Sequence, residues 1–273
     1  MKVEEIFNRF WIDYSTQNDS VKKIHDLFVA SGENVVHDHI ALRTFNDPRI
    51  NIERIARIFT DNGYEARGEY DFKIKRLLGK HFEHTTDPNA PKVFISELLL
   101  EQFSDSLQKT VMEKLDSLPK EVYDDPLVVY KGSLWGKIPF ATYNALREES
   151  EYAAWTLVYG YRANHFAIHV NNLRNFERLQ DVNAFVKKNG YKMNTSSGNE
   201  IYGAPEELLE QSATIAQTRP VTFSDGVFEI PSCFYEFTLR YRDDDGNFYQ
   251  GFKAANADKI FESTNYYRSE DAM

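Results

Sequence analysis

Apolar positions at the start of the chain recur at helical spacing. Ile6, Phe10 and Trp11 mark one short helix, and Val21, Ile24, Leu27 and Phe28 a second that stops near Gly32, so residues 1–32 are expected to form an amino-terminal helical cap. From His37 the period changes. HDHIALRTF alternates as a strand does, and Ile52, Ile55, Ile58 and Phe59 then return at helical spacing, with Gly63 as the stop. Strand-like pieces around 64–70, 72–78 and 92–100 complete the order strand, helix, three strands over residues 33–100.

The same texture returns further along. ANHFAIHV repeats HDHIALRTF, with His165 standing 126 residues after His39, and the helix expected over 176–189 ends in Asn189-Gly190-Tyr191 as the first ends in Asn62-Gly63-Tyr64, 127 residues earlier. A single one-residue indel registers the two blocks. CFYEFTLRYR closes the second block as VFISELLL closes the first. The expected fold class is therefore α+β, with two repeated βαβββ units over 33–100 and 161–242 forming a concave, barrel-like sheet around a central metal site. Added helices fill an insertion over 101–160, where Phe103, Leu107, Val111 and Leu115 share a face, and a last strand over 247–253 and a short helix occupy 243–273, the whole forming one compact domain.

Alternation assigns faces within each strand. His39, Ala41 and Arg43 oppose Ile40, Leu42 and Thr44; His165, Ala167 and His169 oppose Phe166, Ile168 and Val170; Glu236, Thr238 and Arg240 oppose Phe237, Leu239 and Tyr241. Two imidazoles and a carboxylate thus turn toward one cavity, and with three open positions such a set is the facial arrangement of non-haem ferrous oxygenases. The competing reading makes His39 and His165 interior hydrogen-bonded histidines and pairs Glu236 with an arginine. Glu97, near the repeat equivalent of Glu236, is expected as an acceptor that supports a ligand from behind or in the substrate cavity, with a fourth ligand that would favour isomerase chemistry as the alternative. The planar fork of Arg43 suits a substrate carboxylate, with a structural salt bridge as the alternative, and His169 and Arg240 are further candidates for substrate contact.

Composition narrows the classes. Of 273 residues, 32 are Lys or Arg and 42 Asp or Glu, a formal net charge of −10 with no polybasic block, which argues against nucleic acid or an anionic membrane surface as partner. No apolar run is long enough for a membrane span, the start MKVEEIFNRFW is not a secretory leader, and the lone Cys233 fits a reducing compartment, so a soluble, cytoplasmic protein is expected. Other motifs carry less. His81 and His84 lie in a polar stretch expected to be a solvated loop, GSLWGK lacks the spacing and the Ser or Thr of a phosphate loop, and the Asp243–Asp245 run lacks the spacing and closing glutamate of a calcium loop.

DHIALRT, NHFAIHV and YEFTLRY, with the later GNFYQGF and ADKIFEST, resemble the 2-oxoadipate dioxygenase/decarboxylase family, and the paired strand-helix-strand-strand-strand order resembles the wider vicinal oxygen chelate superfamily of glyoxalases and extradiol dioxygenases. The likeness runs from about residue 20 onward. It implies Fe(II) held by His39, His165 and Glu236, with Zn, Ni or Mn able to replace it in purified protein, and Arg43 as the arginine that meets the substrate. The implied reaction takes a 2-oxo dicarboxylic acid, 2-oxoadipate, and O2 to 2-hydroxyglutarate and CO2. Its rivals are a glyoxalase-type isomerase or lyase and a non-catalytic small-molecule binder of the same fold.

Overall fold

The computed structural model describes residues 1–265. Two helices, α1 (Val3–Gln17) and α2 (Asp19–Ala30), precede strand β1 (His37–Phe45), helix α3 (Ile52–Thr60) and strands β2 (Tyr64–Phe72), β3 (Leu77–His84) and β4 (Lys92–Leu98). Four helices follow: α4 (Asp105–Asp116), α5 (Lys120–Asp124), α6 (Phe140–Glu149) and α7 (Glu151–Tyr159). Then come β5 (Ala163–His169), α8 (Leu179–Lys188), β6 (Tyr202–Ala204), β7 (Leu209–Ala213), β8 (Thr218–Phe223), β9 (Gly226–Pro231), β10 (Phe234–Arg240) and α9 (Ala254–Ile260). The architecture is α+β. No helix among the described residues is long and apolar enough to cross a membrane.

The chain divides into two compact units. The first comprises Met1–Tyr14, Ala41–Asn164 and Thr218–Ile230; the second comprises Ser15–Ile40, His165–Gln217 and the chain from Pro231.

In the first unit the hydrogen-bonded strand order is β2-β3-β4-β1, with β2, β3 and β4 antiparallel. Helix α3 is amphipathic because Ile52, Ile55, Ala56, Ile58 and Phe59 fall on one side, and all five are buried. Each large aliphatic so covered contributes about 2 kcal/mol. The Asn51 side chain accepts from Arg54 N to start the helix, and Gly63 at φ +92° turns the chain into β2. Phe10 of α1 stacks on Phe59 with ring centroids 5.8 Å apart, and Phe7 meets Tyr64 at 6.1 Å.

In the second unit the order runs from the start of β1 through β5-β10-β7-β6. Strand β10 lies parallel to β5 and antiparallel to β7. Phe28 of α2 packs on Phe185 of α8 and Phe237 of β10, with ring centroids 5.0 and 6.0 Å apart.

Several expectations need correction. Residues 72–78 are not a strand. They hold the β2–β3 turn, where Arg76 takes a left-handed φ of +55°, and the strand lies further on. His81 is consequently no loop residue: it is buried in β3, with Tyr70 Oη and Glu83 Oε1 each 2.8 Å from its ring nitrogens. The expected cap does not stay together, because the aromatic side chains of α1 pack within the first unit and those of α2 within the second. The stretch 161–242 is likewise not one continuous unit, since Thr218–Ile230, carrying β8 and most of β9, groups with the first. The last strand expected over 247–253 is irregular, with one bridge from Arg242 to Phe248. Carbonyls of that segment turn to the Arg240 guanidinium instead of a neighbouring strand. Of the segment 243–273, residues 266–273 lie outside the described ones.

Candidate metal centre

Strand register assembles the centre from three distant pieces of sequence. Cross-strand partners project from the same face of a sheet. In the parallel β5–β10 ladder Phe234 stands opposite His165 and Glu236 opposite Ala167, while in the antiparallel β10–β7 ladder Thr238 stands opposite Gln211. His165, Phe234, Glu236, Thr238 and Gln211 therefore share one face, and His39 meets them from the first half of β1.

The donors converge. His165 Nε2 lies 3.2 Å from Glu236 Oε2 and His39 Nε2 lies 3.6 Å from Glu236 Oε1. One ligand atom from each of His39, His165 and Glu236 lies within 4.8 Å of the others, and all three residues are buried. Donors bound at about 2.1 Å to a common ion stand roughly 3–4 Å apart, so the two imidazole–carboxylate distances of 3.2 and 3.6 Å and the two-imidazole, one-carboxylate chemistry fit a divalent first-row cation. Among the described residues this is the group of His, Cys, Asp and Glu that comes together in this way.

Each donor is held from behind. His39 Nδ1 is 2.8 Å from Asp38 Oδ1, which leaves Nε2 aimed at Glu236, and the Phe252 ring meets the imidazole edge-on at 4.8 Å between centroids. His165 stacks on Phe234 at 4.6 Å. Glu236 Oε1 accepts from Gln211 Nε2 at 2.7 Å and from the Thr238 hydroxyl at 2.9 Å. Burial alone would raise the Glu236 pKa, but the facing imidazoles of His39 and His165 hold it far below the usual carboxylate range. For His39, burial acts downward, and Glu236 with Asp38 outweighs it to leave the imidazole above its ordinary value.

The other sequence candidates fare differently. Arg43 is buried in the first unit, pairs through Nη1 with Glu151 Oε1 at 3.0 Å, and lies 4.8 and 5.1 Å from the ring centroids of Tyr152 and Trp155. Glu97 is not in the donor group. Its Oε2 accepts from Ile52 N at 2.9 Å, filling a donor that the first turn of α3 leaves open, so both the fourth-ligand and the substrate-cavity expectations give way to a helix cap. Arg240 is corrected too. Its Nε and Nη2 donate to the two Asp38 oxygens at 2.6 and 2.8 Å, and its Nη1 to the carbonyls of Tyr249 and Gly251, which leaves its fork engaged by the protein. His169, on the same face as His165, has Nε2 3.9 Å from Asp38 Oδ2 and keeps about a fifth of its side chain exposed.

Asp38, Gln211 and Phe252 escaped the sequence reading, which placed Thr238 on the inward face without giving it a role. Strict alternation sent Asp38 to the face opposite His39, although an acid directly preceding a candidate ligand is itself a signal for an orienting partner. Gln211 sits on a strand too short for periodicity to reveal, and Phe252 comes from an irregular segment.

Against known proteins, the family model described as 2-oxoadipate dioxygenase/decarboxylase matches residues 13–130 and 128–244. The chain is 36% identical to the chloroplastic/amyloplastic 2-oxoadipate dioxygenase/decarboxylase of Oryza sativa subsp. japonica, over 92% of this chain and 75% of that one. It superposes on the crystal structure of Oryza sativa hydroxyglutarate synthase in complex with 2-oxoadipate with TM-score 0.90 at 32% identity, covering 97% of this chain and 93% of the other. A glyoxalase-superfamily protein from Ralstonia eutropha JMP134 shares the fold at 22% identity and TM-score 0.73, over 89% and 83% of the two chains. Together with the two histidines and the glutamate gathered on β1, β5 and β10, these likenesses establish that the chain belongs to the 2-oxoadipate dioxygenase/decarboxylase family.

Proposed function

We propose that the chain binds Fe(II) through His39, His165 and Glu236 and converts 2-oxoadipate and O2 to 2-hydroxyglutarate and CO2. The observation that carries this reading is the buried convergence of two imidazole Nε2 atoms on one carboxylate, in a chain similar to an enzyme whose structure holds 2-oxoadipate. The reaction balances: a six-carbon 2-oxo diacid gains both oxygen atoms of O2 and loses one carbon as CO2, leaving a five-carbon 2-hydroxy diacid. The ferrous ion supplies chelation of a 2-oxo acid and reducing equivalents for O2.

The protein's own groups account for binding and orientation. Arg43 follows His39 by four residues on the same strand, about 13 Å along it, with both side chains on one face. Arg43 takes the far carboxylate of the 2-oxo diacid, and Glu151 with the Tyr152 and Trp155 rings keeps its fork ordered. His169 borders the substrate from β5. The His165 imidazole is walled by Phe234 and the His39 imidazole by Phe252, and with Glu236 both are buried, which limits the access of bulk water to the reacting centre. The lone Cys233 is buried, which fits the reducing cytoplasm proposed as its location.

Anaerobically purified protein loaded with Fe(II) is expected to consume O2 on addition of 2-oxoadipate and to release equimolar CO2 and 2-hydroxyglutarate. Absence of O2 uptake by protein with confirmed iron content overturns the reading.

A further inference from the structure

We propose that Asp38 is a positioning residue for the cation site, setting the His39 imidazole, and that Arg240 holds Asp38 and the overlying chain in place. The inference rests on the metal reading given above and assigns roles to residues that are not ligands.

Asp38 and His39 are sequence neighbours, yet their side chains meet, with His39 Nδ1 2.8 Å from Asp38 Oδ1. A hydrogen bond of this kind fixes the imidazole with its proton on Nδ1 and its lone pair on Nε2, the nitrogen that faces Glu236. It also makes that nitrogen a better donor to a cation.

Asp38 is itself clamped. The Arg240 guanidinium takes both its oxygens in a fork, at 2.6 and 2.8 Å, with both residues buried. Such geometry removes rotational freedom from the carboxylate. The same guanidinium donates to the Tyr249 carbonyl at 2.8 Å and the Gly251 carbonyl at 2.9 Å. Those bonds anchor the irregular segment that delivers Phe252, whose ring lies between Arg240, 5.2 Å from its centroid, and His39. Arg240 is fixed in turn by Asn171, which accepts from its backbone N–H and donates to its carbonyl, each at 2.9 Å. One arginine therefore holds His39 by two routes: a carboxylate behind the ring and an aromatic edge against it. An ion pair serving stability alone requires neither the bond to His39 nor the carbonyl anchors.

Co(II) titration followed by its visible absorption tests this on the full chain. Wild-type protein is expected to bind Co(II) with bands typical of nitrogen and oxygen donors. Asp38→Asn, checked for folding by circular dichroism, is expected to bind it about 10- to 100-fold more weakly with shifted bands. Equal affinity and unchanged bands in a folded Asp38→Asn protein overturn the inference while leaving the metal reading intact. Failure of wild-type protein to bind Co(II) overturns the metal reading, and this inference with it. Because the substitution leaves Arg240 buried without its counter-charge, a second measurement uses wild-type protein alone. Proton spectra of the Co(II) form are expected to show a paramagnetically shifted, exchange-protected ring N–H of His39 with contacts to Phe252; rapid solvent exchange of that proton overturns the inference.

Discussion

Gln211 donates through Nε2 to Oε1 of Glu236 at 2.7 Å, from the strand that neighbours the glutamate's own. With the Thr238 hydroxyl on the same oxygen, Oε1 is satisfied by protein donors, and Oε2 is left toward His165. This arrangement favours a carboxylate that gives one oxygen to a cation and keeps further coordination positions for substrate.

Gln211→Leu removes that restraint and leaves a buried acceptor short of one partner. Cation affinity is expected to fall about tenfold, with a stability loss of about 1–3 kcal/mol. Co(II) titration and urea unfolding read the two effects separately. Affinity unchanged within twofold would show that Thr238 alone orients the carboxylate.

Arg43→Ala is expected to retain cation affinity while kcat/KM for 2-oxoadipate falls at least about 100-fold, corresponding to about 3 kcal/mol of lost stabilisation. Arg43→Lys restores little, because an ammonium cannot reproduce the two-point grip of a guanidinium. The rate with a 2-oxo monocarboxylic acid of the same length stays near the wild-type value for that compound. Equal losses on both compounds would contradict a role in gripping the far carboxylate.

Glu97 gives a pH-dependent outcome. Burial raises its pKa, against the opposing influence of the Ile52 N–H, so the folded protein holds the carboxyl proton more tightly than the unfolded chain does. Its contribution to stability is therefore greatest below the ordinary carboxyl pKa and declines as pH rises through the folded value. Glu97→Gln keeps an acceptor for the helix and removes the titration. Urea melts between about pH 4 and pH 7 are expected to show the variant gaining on wild type as pH increases, and parallel curves would refute the assignment.

Cation removal supplies a fourth check. A ligand at 100 times its dissociation constant adds about 2.7 kcal/mol to the folded state, so Co(II) is expected to raise the unfolding temperature by several degrees and a chelator to reverse the rise. A His165→Ala protein that still shows the full shift would place the ion elsewhere.

The site was legible in the sequence where residue spacing and strand period coincide. His39, His165 and Glu236 each stand on a strand long enough for alternation to assign a face, and the matching Asn-Gly-Tyr stops tied two of those strands together. What supports them was not legible. Gln211 reaches Glu236 through antiparallel pairing of two strands, and no local pattern encodes which strands become neighbours. Arg240 looked like a substrate contact because alternation places it on the same face as Glu236, while its partner Asp38 lies 202 residues away in the chain. Glu97 misled for the opposite reason: it was weighed as a repeat equivalent of Glu236, but the orphan N–H of Ile52 claims it. The turn near Arg76 was missed because a non-glycine residue adopts a left-handed conformation there without announcing it.

The parallel pairing of β5 with β10 bears on how the protein matures. His39, His165 and Glu236 are separated by 126 and 71 residues, so the proposed ligands are brought together only after long loops have closed and both neighbouring ladders have found their register. Ligands this far apart in sequence give a cation little part in that search, unlike the local ligands of a zinc finger. The apoprotein is therefore expected to fold by its own core, with metal loading as a late event.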